Sequence, residues 1–363
     1  MPEQIFAEAE KMRETSRFRQ ALSLYRKAFR KYKAAGDRVG ETGCLLSLGD
    51  TFRMLGDFSR AADAYRKALS LSRRTRDTLM SADALAGLGL SLRALGDWQK
   101  ALTLFAEAKA ICRKKRDRGG VAFLLWAEGG AFRVAGNIKE ALRSFKGALR
   151  IYKALGSTEP DAQRGLAYCL CGLGGVSRVA GLFDDSMEYY SSANRLLSSL
   201  NDRFGTAYSH CGMGNAFRMK GARKEALKHL KRAEVIYLRI GDVVSYSYTL
   251  WSLGMTFMLE GRLDRAGEYF KKASANFRRT KDTRGAIYCR LAAGEIACMK
   301  GEVRHAKSLF TSALSDAMAN RFGLEACHCR ALLDFLNSGS TTSPCYERLG
   351  LRLKFSPIPF NIP

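Results

Sequence analysis

A 40-residue internal repeat is the feature that most constrains this chain. Gly49–Gly56 (GDTFRMLG), Gly89–Gly96 (GLSLRALG) and Gly129–Gly136 (GGAFRVAG) align without gaps. The same register returns at 174–181, 214–221, 254–261 and 294–301, after one five-residue insertion around Ser157–Asp161. A fixed period of this length means stacked supersecondary units, each too small to bury its own apolar face. Three further columns repeat in eight consecutive units. Small residues stand at Ala21, Ala61, Ala101, Ala141, Ser186, Ala226, Ala266 and Ala306. Four residues on come Tyr25, Tyr65, Phe105, Phe145, Tyr190, Leu230, Phe270 and Phe310, and three beyond those Ala28, Ala68, Ala108, Ala148, Ala193, Ala233, Ala273 and Ala313. Small–x3–large–x2–small spacing puts one knob and two holes on a single helical face, as close antiparallel packing requires.

Punctuation agrees with two helices per unit. Gly56, Gly96, Gly136, Gly181, Gly221, Gly261 and Gly301 suit left-handed residues that close each first helix, with Ser16 in that place in the first unit. Asp37, Asp77, Asp117, Asp202, Asp242 and Asp282 fall where the next unit begins, and aspartate is a strong N-cap.

These columns, with the Leu-Gly pairs 48–49, 88–89, 173–174 and 253–254, resemble the tetratricopeptide repeat family over residues 3 to about 320. The familiar repeat is 34 residues long and often ends in proline. Here the period is 40 without that proline, so each second helix is expected to be longer, as in polarity-type scaffolds and bacterial peptide-sensing regulators. The resemblance implies an all-α, right-handed solenoid of eight helix pairs whose first helices line an inner groove that binds proteins or peptides. Gly323–Leu336 reads as a terminal helix covering the last unit, so the solenoid spans 1–336. Residues 337–363 then form a linker and a Pro-rich tail (FSPIPFNIP) that cannot continue a helix. That tail is expected either to dock on a partner or on the solenoid itself, or to remain a disordered end.

Two files of side chains lie away from the packing columns. Arg53, Arg93, Arg133, Arg178 and Arg218 stand four residues after the helix glycine, and Phe123, Tyr168, Tyr208, Tyr248 and Tyr288 six before it. Ten residues apart, the two positions differ by roughly 80° around the helix. Both can border one inner surface, with Asp50, Asn215, Met255 and Glu295 between them and Trp126, Cys171, Cys211 and Trp251 nearby. Guanidinium forks suit carboxylate or phosphate, and aromatic faces suit apolar side chains or bases. The partner-binding set expected from sequence is therefore the five arginines, Phe123, the four tyrosines, Asn215, Trp126 and Trp251. The alternative is structural: each arginine packs on the next repeat beside a carboxylate, and the rings fill inter-repeat space.

The formal net charge is +25. Cations near helix C-termini complement the macrodipole and account for much of the basic excess. The remainder makes a field that steers an acidic partner, whether protein, nucleic acid or anionic membrane. The leading expectation is a non-enzymatic adaptor holding an extended, acidic-plus-apolar protein segment, and the alternative is a single-strand or RNA-binding solenoid. No cofactor or metal is expected. On a helix the adjacent Cys327, His328 and Cys329 point about 100° apart and cannot share one ion. The charge-free stretch 243–259 is too short and too hydroxylated to cross a membrane. Early charges argue against a secretory leader, which leads to the expectation of reduced thiols in the cytoplasm.

Overall fold

A computed structural model describes residues 1–15, 17–156, 159–340, 344–349, 351 and 358–362. Ser16, the insertion residues Ser157 and Thr158, and 341–343, 350, 352–357 and 363 of the tail lie outside the described residues. Among the described residues every regular element is an α-helix. The chain divides into two compact units: Met1–Glu128 with Ile240–Asp242, and Gly129–Arg239 with Val243–Pro363.

The N-terminal unit holds α1 (Pro2–Glu14), α2 (Phe18–Ala34), α3 (Arg38–Met54), α4 (Phe58–Arg74), α5 (Thr78–Ala94) and α6 (Trp98–Lys114). Helix α7 (Arg118–Ala135) contributes its first residues here and its last to the C-terminal unit. That second unit continues with α8 (Ile138–Leu155), α9 (Pro160–Val179), α10 (Phe183–Ser199), α11 (Arg203–Met219), α12 (Arg223–Ile240), α13 (Val243–Leu259) and α14 (Leu263–Thr280). It ends with α15 (Thr283–Met299), α16 (Val303–Ala319), α17 (Gly323–Ser338) and the short α18 (Pro344–Arg348).

Helices pack in sequence order, α1 on α2, α3 on α4, α5 on α6, α9 on α10, α13 on α14 and α15 on α16. First helices also touch the first helix of the next repeat: α3 meets α5, and α9, α11, α13, α15 and α17 form a continuous contact series. The first helices thus make one layer of each unit. Within a repeat the two helices have nearly equal lengths, 17 or 18 residues in most pairs.

All sixteen alanine-column positions, Ser186 included, are fully enclosed, and each large residue of the middle column is buried. The Leu-Gly signature has a packing reason. A Cβ built at Gly49 or Gly87 would lie within 2.6 or 2.2 Å of the Tyr65 ring, and at Gly174 or Gly212 within 2.8 or 2.2 Å of the Tyr190 ring. Tyr65 and Tyr190 thus each occupy space that a missing side chain leaves on their own first helix and on the following one. The caps predicted at Asp37, Asp77, Asp117, Asp202 and Asp282 are in place, each accepting from a backbone N–H three residues on. Gly56, Gly96, Gly136, Gly181, Gly221, Gly261 and Gly301 all have positive φ, between 74° and 97°.

The C-terminus departs from a linker plus extended strip. Helix α17 runs to Ser338 before Gly339 (φ 70°) ends it, and Pro344 opens the five-residue α18. Cys327 on α17 and Cys345 on α18 form a disulfide, with Cα atoms 5.4 Å apart. The expectation of ten reduced thiols is corrected at this pair, because α18 folds back on α17 and brings together residues 18 apart in sequence.

Candidate functional site

The arginine file does not act uniformly. In the N-terminal unit Arg53 lies 3.6 Å from Asp50, which also accepts from the Tyr65 hydroxyl at 2.6 Å. Arg93 donates to the Ala127 carbonyl of the next first helix at 3.4 Å. In the C-terminal unit the Arg133 guanidinium lies against Gly175 of α9. Arg133 and Arg178 form no ion pair with any described carboxylate. The Nε of Arg178 is buried without a hydrogen-bond partner among the described residues.

Rings of the aromatic file largely join repeats. The Tyr168 hydroxyl donates to Asp202 at 3.0 Å and that of Tyr248 to Asp282 at 3.2 Å, each carboxylate being the N-cap 34 residues on. Tyr288 donates to Glu325 at 2.9 Å. Trp251 is buried and donates its indole N–H to the Tyr288 carbonyl at 3.2 Å. Tyr208 stacks on Phe204, with ring planes 13° apart. In the N-terminal unit Phe123 is exposed and lies beside Trp126, ring centroids 5.6 Å apart.

Arg218, at the end of α11, is the point of convergence. It is a fully enclosed arginine, and its guanidinium stands 5.6 Å from the Trp251 ring centroid. Nε and Nη2 donate to Asn215 Oδ1 at 3.3 and 3.1 Å. Its remaining donors hold the tail: Nη1 binds Asn361 Oδ1, and Nη2 donates to the Ile362 carbonyl at 2.8 Å. Asn361 Nδ2 returns a hydrogen bond to the Arg218 carbonyl at 3.1 Å. Glu295, on α15 and also enclosed, accepts the Phe360 N–H at 2.7 Å. Phe360 is buried against Phe335 of α17, ring centroids 5.5 Å apart and planes at 71°, and Ile362 is equally enclosed.

Electrostatics here are unusual. Burial, with the nearby charge of Arg178 adding to it, pulls the Arg218 guanidinium down to about 9. Burial pushes the Glu295 carboxyl well above the ordinary carboxylate range, partly opposed by the Phe360 N–H and by Arg218. An adjoining network joins Arg284, Tyr288, Glu325 and His328. Burial alone raises the Glu325 carboxyl, but Arg284, 2.5 Å away, holds it below its usual value. Burial brings His328 down to about 4, and its Nδ1 pairs with the Tyr346 hydroxyl at 2.7 Å.

Sequence reasoning placed Asn215 and Arg218 in the site and put Glu295 on the same inner arc, without giving Glu295 a role. It missed Phe335 and the identity of the segment that Arg218 holds. The readable signal was a polar residue directly after the helix glycine, a column that contains Asp50, Asn215 and Glu295. No group of three or more His, Cys, Asp and Glu among the described residues is placed to hold a metal ion. None of the described helices is long and apolar enough to cross a membrane.

The stacked helix pairs and the shared layer of first helices define a helical-repeat solenoid protein. Residues 9–74 and 80–154 match the family model of the tetratricopeptide repeat. Those two segments carry tetratricopeptide repeats, and the 40-residue period runs on beyond them to 294–301. No curated protein sequence matches it. Among solved structures, it is similar to a Rap protein complexed with competence and sporulation factor (TM-score 0.58, 14% identity, 96% of this chain and 98% of that one). The apo form of RapI is also similar (TM-score 0.57, 15% identity, 77% and 98% covered). So is aspartyl phosphate phosphatase F from Bacillus subtilis (TM-score 0.53, 12% identity, 96% and 92% covered). At such identities the likeness concerns the fold.

Proposed function

We propose that this protein is a non-enzymatic interaction scaffold whose C-terminal unit holds an extended, acidic-plus-apolar segment of a partner protein against its first-helix layer. The observation that carries this reading is that Arg218, which donates to Asn215, and Glu295 already hold a non-helical stretch of polypeptide, Phe360–Ile362. Guanidinium and carboxyl groups on the solenoid satisfy the backbone C=O and N–H of that stretch, while enclosed space takes its two apolar side chains. Two cations without a described carboxylate partner, Arg133 and Arg178, favour acidic residues in the segment. The Rap protein solved with competence and sporulation factor is consistent with such a use of the fold. Buried thiols whose ionisation burial disfavours, Cys169, Cys289 and Cys329 among them, each raised to about 12, are poor nucleophiles.

A fluorescein-labelled peptide of alternating glutamate and leucine is the probe. The native chain binds it more tightly as salt is lowered. Replacing Arg133 and Arg178 together by alanine weakens binding about tenfold, roughly 1.4 kcal/mol, and flattens the salt dependence, with the helical circular dichroism signal intact. Equal affinity and an equal salt slope in the double variant contradict the proposal.

A further inference from the structure

Asn361 makes contacts that a generic apolar plug does not need. Its side-chain oxygen accepts from the Arg218 guanidinium while its side-chain nitrogen donates to the Arg218 carbonyl. A primary amide supplies both an acceptor and a donor; a carboxylate has no donor and an aliphatic side chain has neither. On either side the contacts are of two other kinds. The Phe360 N–H and the Ile362 carbonyl are backbone groups that any residue offers, and they are read by Glu295 and Arg218. The Phe360 and Ile362 side chains are wholly enclosed, which demands apolar residues at those positions. An Ile362 N–H to Phe360 carbonyl bond of 2.9 Å closes a tight turn around Asn361.

The fit is also incomplete. Glu295 Oε1 is buried with no hydrogen-bond partner among the described residues, although Oε2 of the same carboxyl is satisfied by the tail. The residue before Phe360 is Pro359, which has no N–H to offer. A buried polar atom left bare weakens an occupant by roughly tenfold relative to one that satisfies it.

We propose that Arg218, its guanidinium oriented by Asn215, and Glu295 form a peptide-reading site selective for an apolar–Asn–apolar tripeptide. The chain's own Phe360, Asn361 and Ile362 fill it as a resident ligand, and a partner segment of the same pattern gains access by displacing them. This deepens the proposed function and rests on its reading of the first-helix layer. It adds a specificity, and it adds an occupant that must leave.

The test uses full-length protein and a labelled heptapeptide, Pro-Ile-Pro-Phe-Asn-Ile-Pro, the sequence of residues 357–363. The variant Phe360→Ala/Asn361→Ala, whose tail no longer competes, binds the peptide at least tenfold tighter than the native chain does. On that variant, peptides with leucine or aspartate in place of asparagine compete at least tenfold less well, and these changes carry no folding risk. Native chain mixed with excess unlabelled peptide gives a readout without any substitution: hydrogen exchange at the Phe360 and Ile362 amides speeds up as the tail is displaced. Equal peptide affinity for native and variant chains, equal competition by the leucine peptide, or unaltered exchange overturns the proposal. If the heptapeptide fails while the glutamate–leucine peptide still binds in an Arg133- and Arg178-dependent way, the resident-ligand reading falls and the scaffold reading stands.

Discussion

Arg218→Ala removes about 3–5 kcal/mol from the stability of the C-terminal unit, the usual scale for breaking a buried charged network by deleting one partner. The size follows from what the guanidinium satisfies. Its donors go to Asn215, Asn361 and the Ile362 carbonyl, and its charge is the favourable one beside the enclosed Glu295. Alanine leaves those acceptors dry and unpaired and opens a cavity beside Trp251. Arg218→Met refills the cavity beside Trp251 but leaves the same three acceptors unpaired, so it recovers only the packing part of the loss. Urea unfolding followed by circular dichroism measures both variants. A loss below about 1 kcal/mol for the alanine variant would mean that solvent reaches the site and that the network is not closed.

Tyr190→Ala is the second large effect, again about 3–5 kcal/mol, while Tyr190→Phe stays within about 1.5 kcal/mol. Tyr190 is buried, and its ring fills the gap left by Gly174 on its own first helix and Gly212 on the next. Truncation therefore unseats two helix contacts at once. Phenylalanine is tolerated because Phe105, Phe145, Phe270 and Phe310 already serve in the same column. For a unit of this size the alanine variant lowers the thermal midpoint by roughly 6–20 °C. A shift of only one or two degrees would show that the knob-and-glycine column is not what locks adjacent repeats.

Legibility of this chain divides by whether a contact repeats. The glycine, alanine and aromatic columns, the Asp N-caps and the positive-φ turns occur at one spacing in unit after unit, so local periodicity exposes them. The caps of the second helices, Asp57, Asp97 and Asn137, were overlooked although their hydrogen bonds follow the same three-residue rule. Their column is broken by Leu182, Arg262 and Glu302, none of which makes a side-chain cap. For the tyrosine file the sequence leaves a groove surface and inter-repeat filling both open, and Tyr168 and Tyr248 direct their hydroxyls to the N-cap carboxylates of the following repeat. That pairing has a fixed separation of 34 residues and was available in the sequence, but only to a search for polar partners between units. The tail contact was not legible in this way. Arg218 and Asn361 are 143 residues apart and nothing about the tail repeats, so only folding the unit brings them together. The Cys327–Cys345 disulfide escaped for the same reason, because it depends on α18 turning back onto α17.

Amide hydrogen exchange on the native chain tests the central claim most directly, since the Phe360 N–H is held by an enclosed carboxyl and the Ile362 N–H by the turn. The account predicts that both amides exchange at least a hundredfold more slowly than in the free heptapeptide, with protection lost in Arg218→Ala. Exchange of Phe360 at the free-peptide rate in the native protein would mean that the first-helix layer of the C-terminal unit does not hold this segment, and would contradict the account.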